Sequence, residues 1–492
     1  MEYKVASSHP LSTGAGMEVM SKGGNAYDAM LAVSSCLVVV QPQYNGLGGD
    51  LFATVKDGGY YSINASGYAA GLADYDFYSK KGYSKIPERG SLSSFSIPGL
   101  ASSWEAISSR LNLCVKEDMK RAIQFADEGF EPSRKLVSAI NNFSYGDEDF
   151  NSIYKGTDRL LVQKELANTL KTLSEEGFDD FYNGKIARKI EEDMKNKGGL
   201  IRTSDLSSYK AEIKTPLHIK YRNYNVYTNP PVSQGLTALV WLNSLNKYDL
   251  SSMEHENYYE TLIDTMMDAY NIRRNYIYDG VKLPDDLSTL EASDSNINNK
   301  GTEQSDTTAY SIYDGKVEIS AIQSNYMGFG SGQSIKGTGI NMNNRGSYFS
   351  MDSKNHNFLE PGKKTFHTLM SVLASGDKEI LTGSMGGDIQ PQINVQILSR
   401  IIDLGYNIQD AVSYPRFAYP ASIYGKAKYP ETADDIKIYY ESMLRLNKYE
   451  AVNDLNDMMG HAQGITVGTQ VETGTDPRGD GLLLYMKSKY FK

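Results

Sequence analysis

An abrupt change in composition near residue 293 constrains the fold more than any other feature of the sequence. In the polar segment 293–306, Ile297 is the only large apolar residue. Such a segment buries too little apolar surface to offset its ordering entropy, which predicts a mobile, exposed loop. Alternating apolar residues on both sides of Asp314-Gly315 then predict a tight β-hairpin. Thr307 therefore lies between a flexible loop and the first strand of a sheet.

Composition excludes several classes of protein. The 492 residues are 40% hydrophobic and 22% charged, which is typical of a globular protein, and the net charge is −10. This acidic balance argues against binding to nucleic acid or to anionic membranes through general electrostatic attraction. The longest apolar stretch, Ala29 to Val40, is too short to span a bilayer. No secretory signal is visible at the N-terminus, so we expect a cytoplasmic protein without a membrane partner.

Metal and cofactor sites have no support in the sequence. Cys36 and Cys114 are too few for a four-thiolate site or a disulfide framework. The six histidines include no His-Glu-x-x-His pair. We therefore predict neither a metal nor an organic cofactor.

Glycines and capping residues mark the elements of the N-terminal part. Gly23-Gly24 is expected to end a helix that begins near Leu11, and Asn25 to cap a second helix. That second helix is apolar nearly all round, which predicts burial. The glycine-rich stretch 45–50 predicts close approach of its backbone to packed chain or to a ligand. Further patterns predict a strand at 51–55, short strands near 218–226, and helices near 166–173, 236–245, 254–278 and 393–404.

The junction Asp306-Thr307-Thr308 has two interpretations. It is either a linker that enters a sheet, or a masked nucleophile whose hydroxyl attacks the carbonyl of Asp306. Hydrolysis of the resulting ester would give Thr307 a free α-amine, which titrates at about 7.7–8.0. Such an amine can serve as general base for the hydroxyl of the same residue, so no histidine is needed. Thr308 is the alternative nucleophile.

Short motifs along the whole chain, on both sides of this junction, occur in a characteristic order. Taken together, they resemble the gamma-glutamyltransferase family of N-terminal-nucleophile hydrolases over nearly the full length. The strongest pieces are Gly23-Gly24-Asn25-Ala26-Tyr27-Asp28-Ala29, Gly46-Leu47-Gly48-Gly49, Pro230-Pro231-Val232-Ser233-Gln234-Gly235, Phe329-Gly330-Ser331-Gly332 and Asp476-Pro477-Arg478-Gly479-Asp480-Gly481.

The resemblance implies an α+β fold, a four-layer αββα sandwich formed by one unit. It also implies a precursor that cuts itself before Thr307, giving fragments 1–306 and 307–492 that stay associated, with homo-oligomers as a further option. In this family a glycine pair, here Gly386-Gly387, supplies backbone N–H groups to the oxyanion, although two glycines before a helix are also a common tight turn. Asn325 matches the asparagine of the family's Thr-x-Asn motif.

The substrate pocket departs from the family pattern. The stretch 64–70 lacks the arginine that binds the glutamyl carboxylate in classical members, and Ser347-Tyr348 stands where they have an acidic pair. Each charge-assisted hydrogen bond lost in a desolvated pocket costs about 1.5–3 kcal/mol. We therefore expect a rebuilt pocket, like that of the acylase-like members. The candidate substrate-binding residues are Arg345, His367, Thr368, Tyr348 and Gln323.

Three functions remain open at this point. The first is a self-processing threonine amidohydrolase or acyltransferase that forms an acyl-enzyme on Thr307, with a gamma-glutamyl compound such as glutathione as donor. The second is a cephalosporin-acylase-like amidase with a small, non-glutamyl amide substrate. The third is an unprocessed, inactive relative that serves as a binding protein.

Overall fold

The computed structural model describes residues 2–157, 159–291, 305–419 and 438–487. The predicted mobile loop lies, up to residue 304, outside the described residues. Within the described part, no helix is both long enough and apolar enough to cross a membrane.

Helices and strands alternate in groups along the chain. The helices are α1 Pro10–Ser21, α2 Ala26–Val40, α3 Tyr75–Lys80, α4 Leu100–Ile107, α5 Val115–Asp118, α6 Lys120–Glu128, α7 Arg134–Asn142, α8 Glu148–Tyr154, α9 Lys164–Glu176, α10 Asp180–Asn183, α11 Lys185–Asn196, α12 Thr203–Ser207, α13 Gly235–Leu245, α14 His255–Tyr276, α15 Gln390–Ile402 and α16 Ile408–Ser413. The strands are β1 Glu2–Ser7, β2 Asp50–Lys56, β3 Tyr60–Ala65, β4 Glu212–Lys214, β5 Leu217–Tyr221, β6 Tyr224–Thr228, β7 Ser305–Tyr313, β8 Glu318–Met327, β9 Ser334–Ile335, β10 Ile340–Asn341, β11 Ser371–Ser375, β12 Glu379–Met385, β13 Phe417–Ala418, β14 Tyr439–Glu441, β15 Glu450–Val452, β16 His461–Val467, β17 Val471–Thr475 and β18 Leu482–Lys487.

Two large antiparallel sheets form the centre of the molecule. The first has the strand order β18-β1-β7-β8-β2-β3-β4, and the second has the order β17-β16-β12-β11-β6-β5. Strands β7 and β8 pack against β12 of the second sheet. Helices α1 and α2 pack on the first sheet, and α13, α15 and α16 pack on the second. The predicted α+β class and four-layer αββα arrangement are confirmed.

Local sequence signals explain several of these elements. The Asn25 side chain accepts hydrogen bonds from the N–H groups of Tyr27 and Asp28, and the Asp28 carboxylate accepts one from the N–H of Asn25. This capping box fixes the start of α2, which is buried along its whole length, as predicted. The hairpin between β7 and β8 also forms as predicted, with Gly315 at a φ of 95° in its turn.

The inner face of the first sheet contacts the second sheet directly. Ala309 of β7 and Ile322 of β8 belong to an apolar cluster between the sheets, together with Leu369, which precedes β11. The Ser320 hydroxyl of β8 donates to the carbonyl of Thr382 in β12 across 2.8 Å. Because side chains alternate along a strand, Thr307 lies on the same inner face as Ala309.

Candidate active site

The Thr307 side chain is fully buried near the start of β7, on the face that meets the second sheet. Its hydroxyl oxygen has no hydrogen-bond partner within the described parts of the chain. Buried hydroxyls are ordinarily paired, so an unpaired one needs an explanation, and a catalytic role is one of those known. The side chain of Thr308 points to the other face, where its hydroxyl donates to the Gln323 carbonyl at 3.5 Å.

Strand β8 has a β-bulge opposite Thr307. Asp306 pairs with Tyr326 and Thr308 pairs with Gln323, so two residues of β8, Ser324 and Asn325, lie opposite Thr307 alone. Bulges re-aim side chains and are frequent beside active sites. Here the bulge interrupts the ladder between Asp306 and Thr308, the two neighbours of Thr307.

Ser324 contacts this peptide bond. Its hydroxyl donates to the carbonyl oxygen of Asp306 at 2.7 Å, and its oxygen accepts from the N–H of Tyr326, also at 2.7 Å. Tyr326 has a φ of 83°, which is costly for a residue with a large side chain. The carbonyl that precedes Thr307 is therefore held by a polarising donor.

The Asp306 carboxyl has unusual electrostatics. Desolvation raises its pKa to about 7, against the attraction of the Arg89 guanidinium, which lowers it. Arg89 is fixed by a hydrogen bond to the Gly328 carbonyl at 2.6 Å and stacks near the Phe143 ring. Near neutral pH the Asp306 carboxyl is therefore only partly ionised.

The glycine-rich stretch 45–50 packs against the bulge. A Cβ on Gly49 would lie 2.3 Å from the carbonyl oxygen of Ser324 and 2.4 Å from Oδ1 of Asn325. A Cβ on Gly48 would lie 2.2 Å from the carbonyl oxygen of Asn341. The predicted close approach is thus to packed chain. The Asn325 amide donates to the Asn341 carbonyl at 3.3 Å, while its Oδ1 has no partner in the described residues.

Gly386 and Gly387 form the turn between β12 and α15. Their φ values are 146° and 58°, and Gly387 begins a 3₁₀ turn that packs against β7. Neither N–H group donates a hydrogen bond to another described residue. Gln234 fixes the turn, because its Nε2 donates to the carbonyl oxygens of Gly387 at 2.8 Å and Thr368 at 2.6 Å.

A buried charge cluster lies two strands away from Thr307. Asp50 pairs with Ser324 in the sheet, and its Oδ2 accepts hydrogen bonds from Arg345 Nε at 3.2 Å and His367 Nε2 at 2.9 Å. The Leu369 N–H donates to His367 Nδ1, so the imidazole proton is on Nε2. Burial and the Arg345 charge lower the pKa of His367 to about 4, despite the attraction of Asp50. The imidazole is therefore neutral.

Charge in this cluster is balanced by one ion pair. Burial opposes ionisation of Asp50, but its hydrogen-bonded partners hold the pKa of the carboxyl below its usual range. Arg345 Nη1 also donates to the Thr368 hydroxyl at 3.4 Å, and the guanidinium stacks 4.5 Å from the Tyr326 ring centre. Arg345 Nη2 has no hydrogen-bond partner in the described residues.

The structure brings most of the predicted substrate-binding residues together. Arg345, His367 and Thr368 share the cluster, and the Tyr348 ring packs 4.8 Å from that of Tyr326. Gln323 lies apart from this cluster: its Oε1 accepts from the Ser34 hydroxyl at 2.6 Å, and its Nε2 donates to Asn45 Oδ1 at 2.7 Å. Sequence reasoning did not single out two polar residues of this region, Ser324 and Gln234.

Comparisons with known proteins identify the family of this chain. The gamma-glutamyltranspeptidase family model matches residues 12–486. A glutathione hydrolase-like YwrD proenzyme of Bacillus subtilis is 34% identical, with 97% of both chains covered. An oxamate amidohydrolase proenzyme of Klebsiella pneumoniae is 28% identical, with 96% of both covered. The crystal structure of a cephalosporin acylase from Bacillus halodurans is 29% identical and superposes with a TM-score of 0.86, covering 98% of this chain and 95% of that one. This chain belongs to the gamma-glutamyltranspeptidase family.

Proposed function

We propose that this chain cuts itself between Asp306 and Thr307 and then hydrolyses small amides with Thr307 as the nucleophile. The observation that carries this proposal is the buried, unpartnered hydroxyl of Thr307 beside a carbonyl held by Ser324. The two products would be residues 1–306 and 307–492, which share one αββα unit and would stay associated.

Both reactions use the same side chain. In self-cleavage, Thr307 Oγ1 bonds to the carbonyl carbon of Asp306, the C–N bond breaks, and the hydroxyl proton passes to the released amine. Water then hydrolyses the ester and leaves a carboxylate on Asp306. In turnover, the free α-amine of Thr307 takes the hydroxyl proton as Oγ1 attacks an amide substrate. The amine product leaves, and water releases the acid from the acyl-enzyme.

The turn that follows β12 would stabilise the oxyanion that forms when Thr307 attacks the substrate. The unengaged N–H groups of Gly386 and Gly387 support this role, since free backbone donors in a water-poor site stabilise developing negative charge. Gln234 orients the turn through the Gly387 carbonyl. Asn325, across the bulge from Thr307, would contact the nucleophile.

The donor class follows from Arg345. Its free Nη2 in a buried site favours an acyl group that carries a carboxylate. Asp50 and Arg345 neutralise each other, so the preference rests on the unpartnered Nη2 donor and not on net charge. Tyr348 stands where classical members have an acidic residue, which removes the group that would bind an ammonium. We therefore propose monoamides of short dicarboxylic acids as donors in preference to gamma-glutamyl compounds. The oxamate amidohydrolase relative is consistent with this choice.

Denaturing gels, N-terminal sequencing and amidase assays test the proposal. We expect two fragments, the smaller of which begins Thr-Thr-Ala-Tyr. Thr307→Ala should remain one chain without amidase activity, whereas Thr308→Ala should cleave. A persistent single band with full activity in the unsubstituted protein would overturn the proposal. Hydrolysis of gamma-glutamyl-p-nitroanilide alone, with no reaction on oxamate or succinamate, would overturn the donor class only.

A further inference from the structure

We infer that Ser324 is a catalytic residue of self-cleavage, whose hydroxyl stabilises the oxyanion that forms when Thr307 attacks Asp306. This inference rests on the self-cleavage proposed above. It assigns the oxyanion donor of maturation to a side chain of β8, apart from the backbone donors proposed for turnover.

The direction of the hydrogen bond is fixed by the contacts of Ser324. The N–H of Tyr326 can only donate, so it occupies a lone pair of the Ser324 oxygen, at 2.7 Å. The Asp306 carbonyl oxygen can only accept, so the Ser324 proton points to it, also at 2.7 Å. The donor is therefore already aligned with the oxygen on which negative charge develops.

The position of Ser324 is set by the fold around it. Ser324 is 1% exposed, and its backbone pairs with Asp50 on one side while the bulge opens on the other. Tyr326, which has a left-handed backbone, donates its N–H to the serine oxygen. In such a buried site a hydrogen bond to a developing charge is stronger than in water.

This contact acts on one reaction only. During attack the C=O of Asp306 becomes a tetrahedral C–O⁻, and the Ser324 O–H shifts toward that oxygen without losing its proton. Collapse breaks the C–N bond, and the amine of Thr307 takes the proton from its own hydroxyl. Once water has hydrolysed the ester, Asp306 no longer holds a reacting carbonyl. Ser324 should thus accelerate maturation far more than turnover.

An isosteric pair of variants provides the test. Ser324→Thr keeps the hydroxyl, whereas Ser324→Val has nearly the same shape without it. Loss of one oxyanion donor typically slows a reaction about 10²–10³-fold. We expect Ser324→Val to cleave about 100-fold more slowly than Ser324→Thr, as measured by gel from a purified precursor over time. The melting temperature of each precursor shows that both fold.

A matched control removes a similar contact elsewhere. Ser320→Ala in the same strand deletes a 2.8 Å hydrogen bond to a backbone carbonyl, that of Thr382, and should leave cleavage within about twofold. Equal cleavage rates for the Thr and Val variants would overturn the inference. Absence of cleavage in the unsubstituted chain would overturn the proposed function itself.

Discussion

Asp50 and Arg345 form an ion pair across 3.2 Å that is almost completely shielded from water. Removal of one partner of a buried pair leaves an uncompensated charge and costs about 3–5 kcal/mol. We therefore expect Asp50→Asn to lower the free energy of unfolding by this amount, as measured by urea denaturation in the uncleaved Thr307→Ala background. The double variant Asp50→Asn/Arg345→Met should recover part of the loss. If the double variant lost as much free energy of unfolding as the two single variants together, the pairing would be contradicted.

Arg345→Met, with Asp50 intact, tests the donor class separately. We expect kcat/KM for oxamate or succinamate to fall at least 10-fold, because an anionic donor loses its charge-assisted contact. An uncharged amide, such as acetamide, should lose much less. A similar loss for charged and neutral donors would show that Arg345 acts only through stability.

His367 gives stability a defined pH dependence. Its pKa is about 4 in the folded protein and about 6.5 when unfolded, because burial disfavours the charged imidazole. Between these values only the unfolded chain takes up the proton, so falling pH favours unfolding. Relative to His367→Gln in the Thr307→Ala background, the chain should lose about 1.4 kcal/mol per pH unit from pH 6.5 to 4. A pH-independent difference between the two proteins would contradict a neutral buried imidazole.

The Nε2 of Gln234 donates to the carbonyl oxygens of both Thr368 and Gly387, and so connects the segment before β11 with the turn after β12. Gln234→Leu should loosen the Gly387 turn and lower kcat about 10–100-fold with a smaller change in KM, since the oxyanion contact matters most in the transition state. Gln396→Leu is the matched control, because Gln396 donates to the Phe417 carbonyl on the same helix layer. Self-cleavage should continue in both variants. Equal kcat values for the two variants would contradict the positioning role.

Many helices and strands could be predicted from short sequence signals such as caps and turns. The capping box of α2 involves only residues 25–28, and the hairpin turn is marked by Asp314-Gly315. Each signal lies within a few residues of the element that it defines, so both can be predicted from the sequence. The resemblance to the family rests on the order of many such short motifs, and the family model matches residues 12–486. By contrast, Asp50 and His367 are 317 residues apart, and no periodicity or spacing connects them. Only the packing of the two sheets brings them together.

Strand geometry explains why Gln323 and Ser324 have different surroundings. Neighbours on a strand point to opposite faces, and sequence alone does not say which face meets the second sheet. The structure directs the Gln323 amide to Ser34 of α2, and the Ser324 hydroxyl to the Asp306 carbonyl. The bulge then places two residues opposite Thr307, and no turn signal in the sequence marks it.

Gly49 is the position at which the N-terminal part constrains the bulge most directly. An alanine Cβ there would lie 2.3 Å from the Ser324 carbonyl oxygen and 2.4 Å from Asn325 Oδ1, so β8 must move. Overpacking of this kind costs about 1–3 kcal/mol. Because the shift displaces Ser324, we expect Gly49→Ala to slow self-cleavage at least 10-fold. Gly59→Ala adds a methyl where nothing lies within 4 Å and should change neither stability nor cleavage. Gel time courses and melting curves of both variants check this, and a Gly49→Ala precursor that cleaves at the normal rate would show that the bulge tolerates displacement.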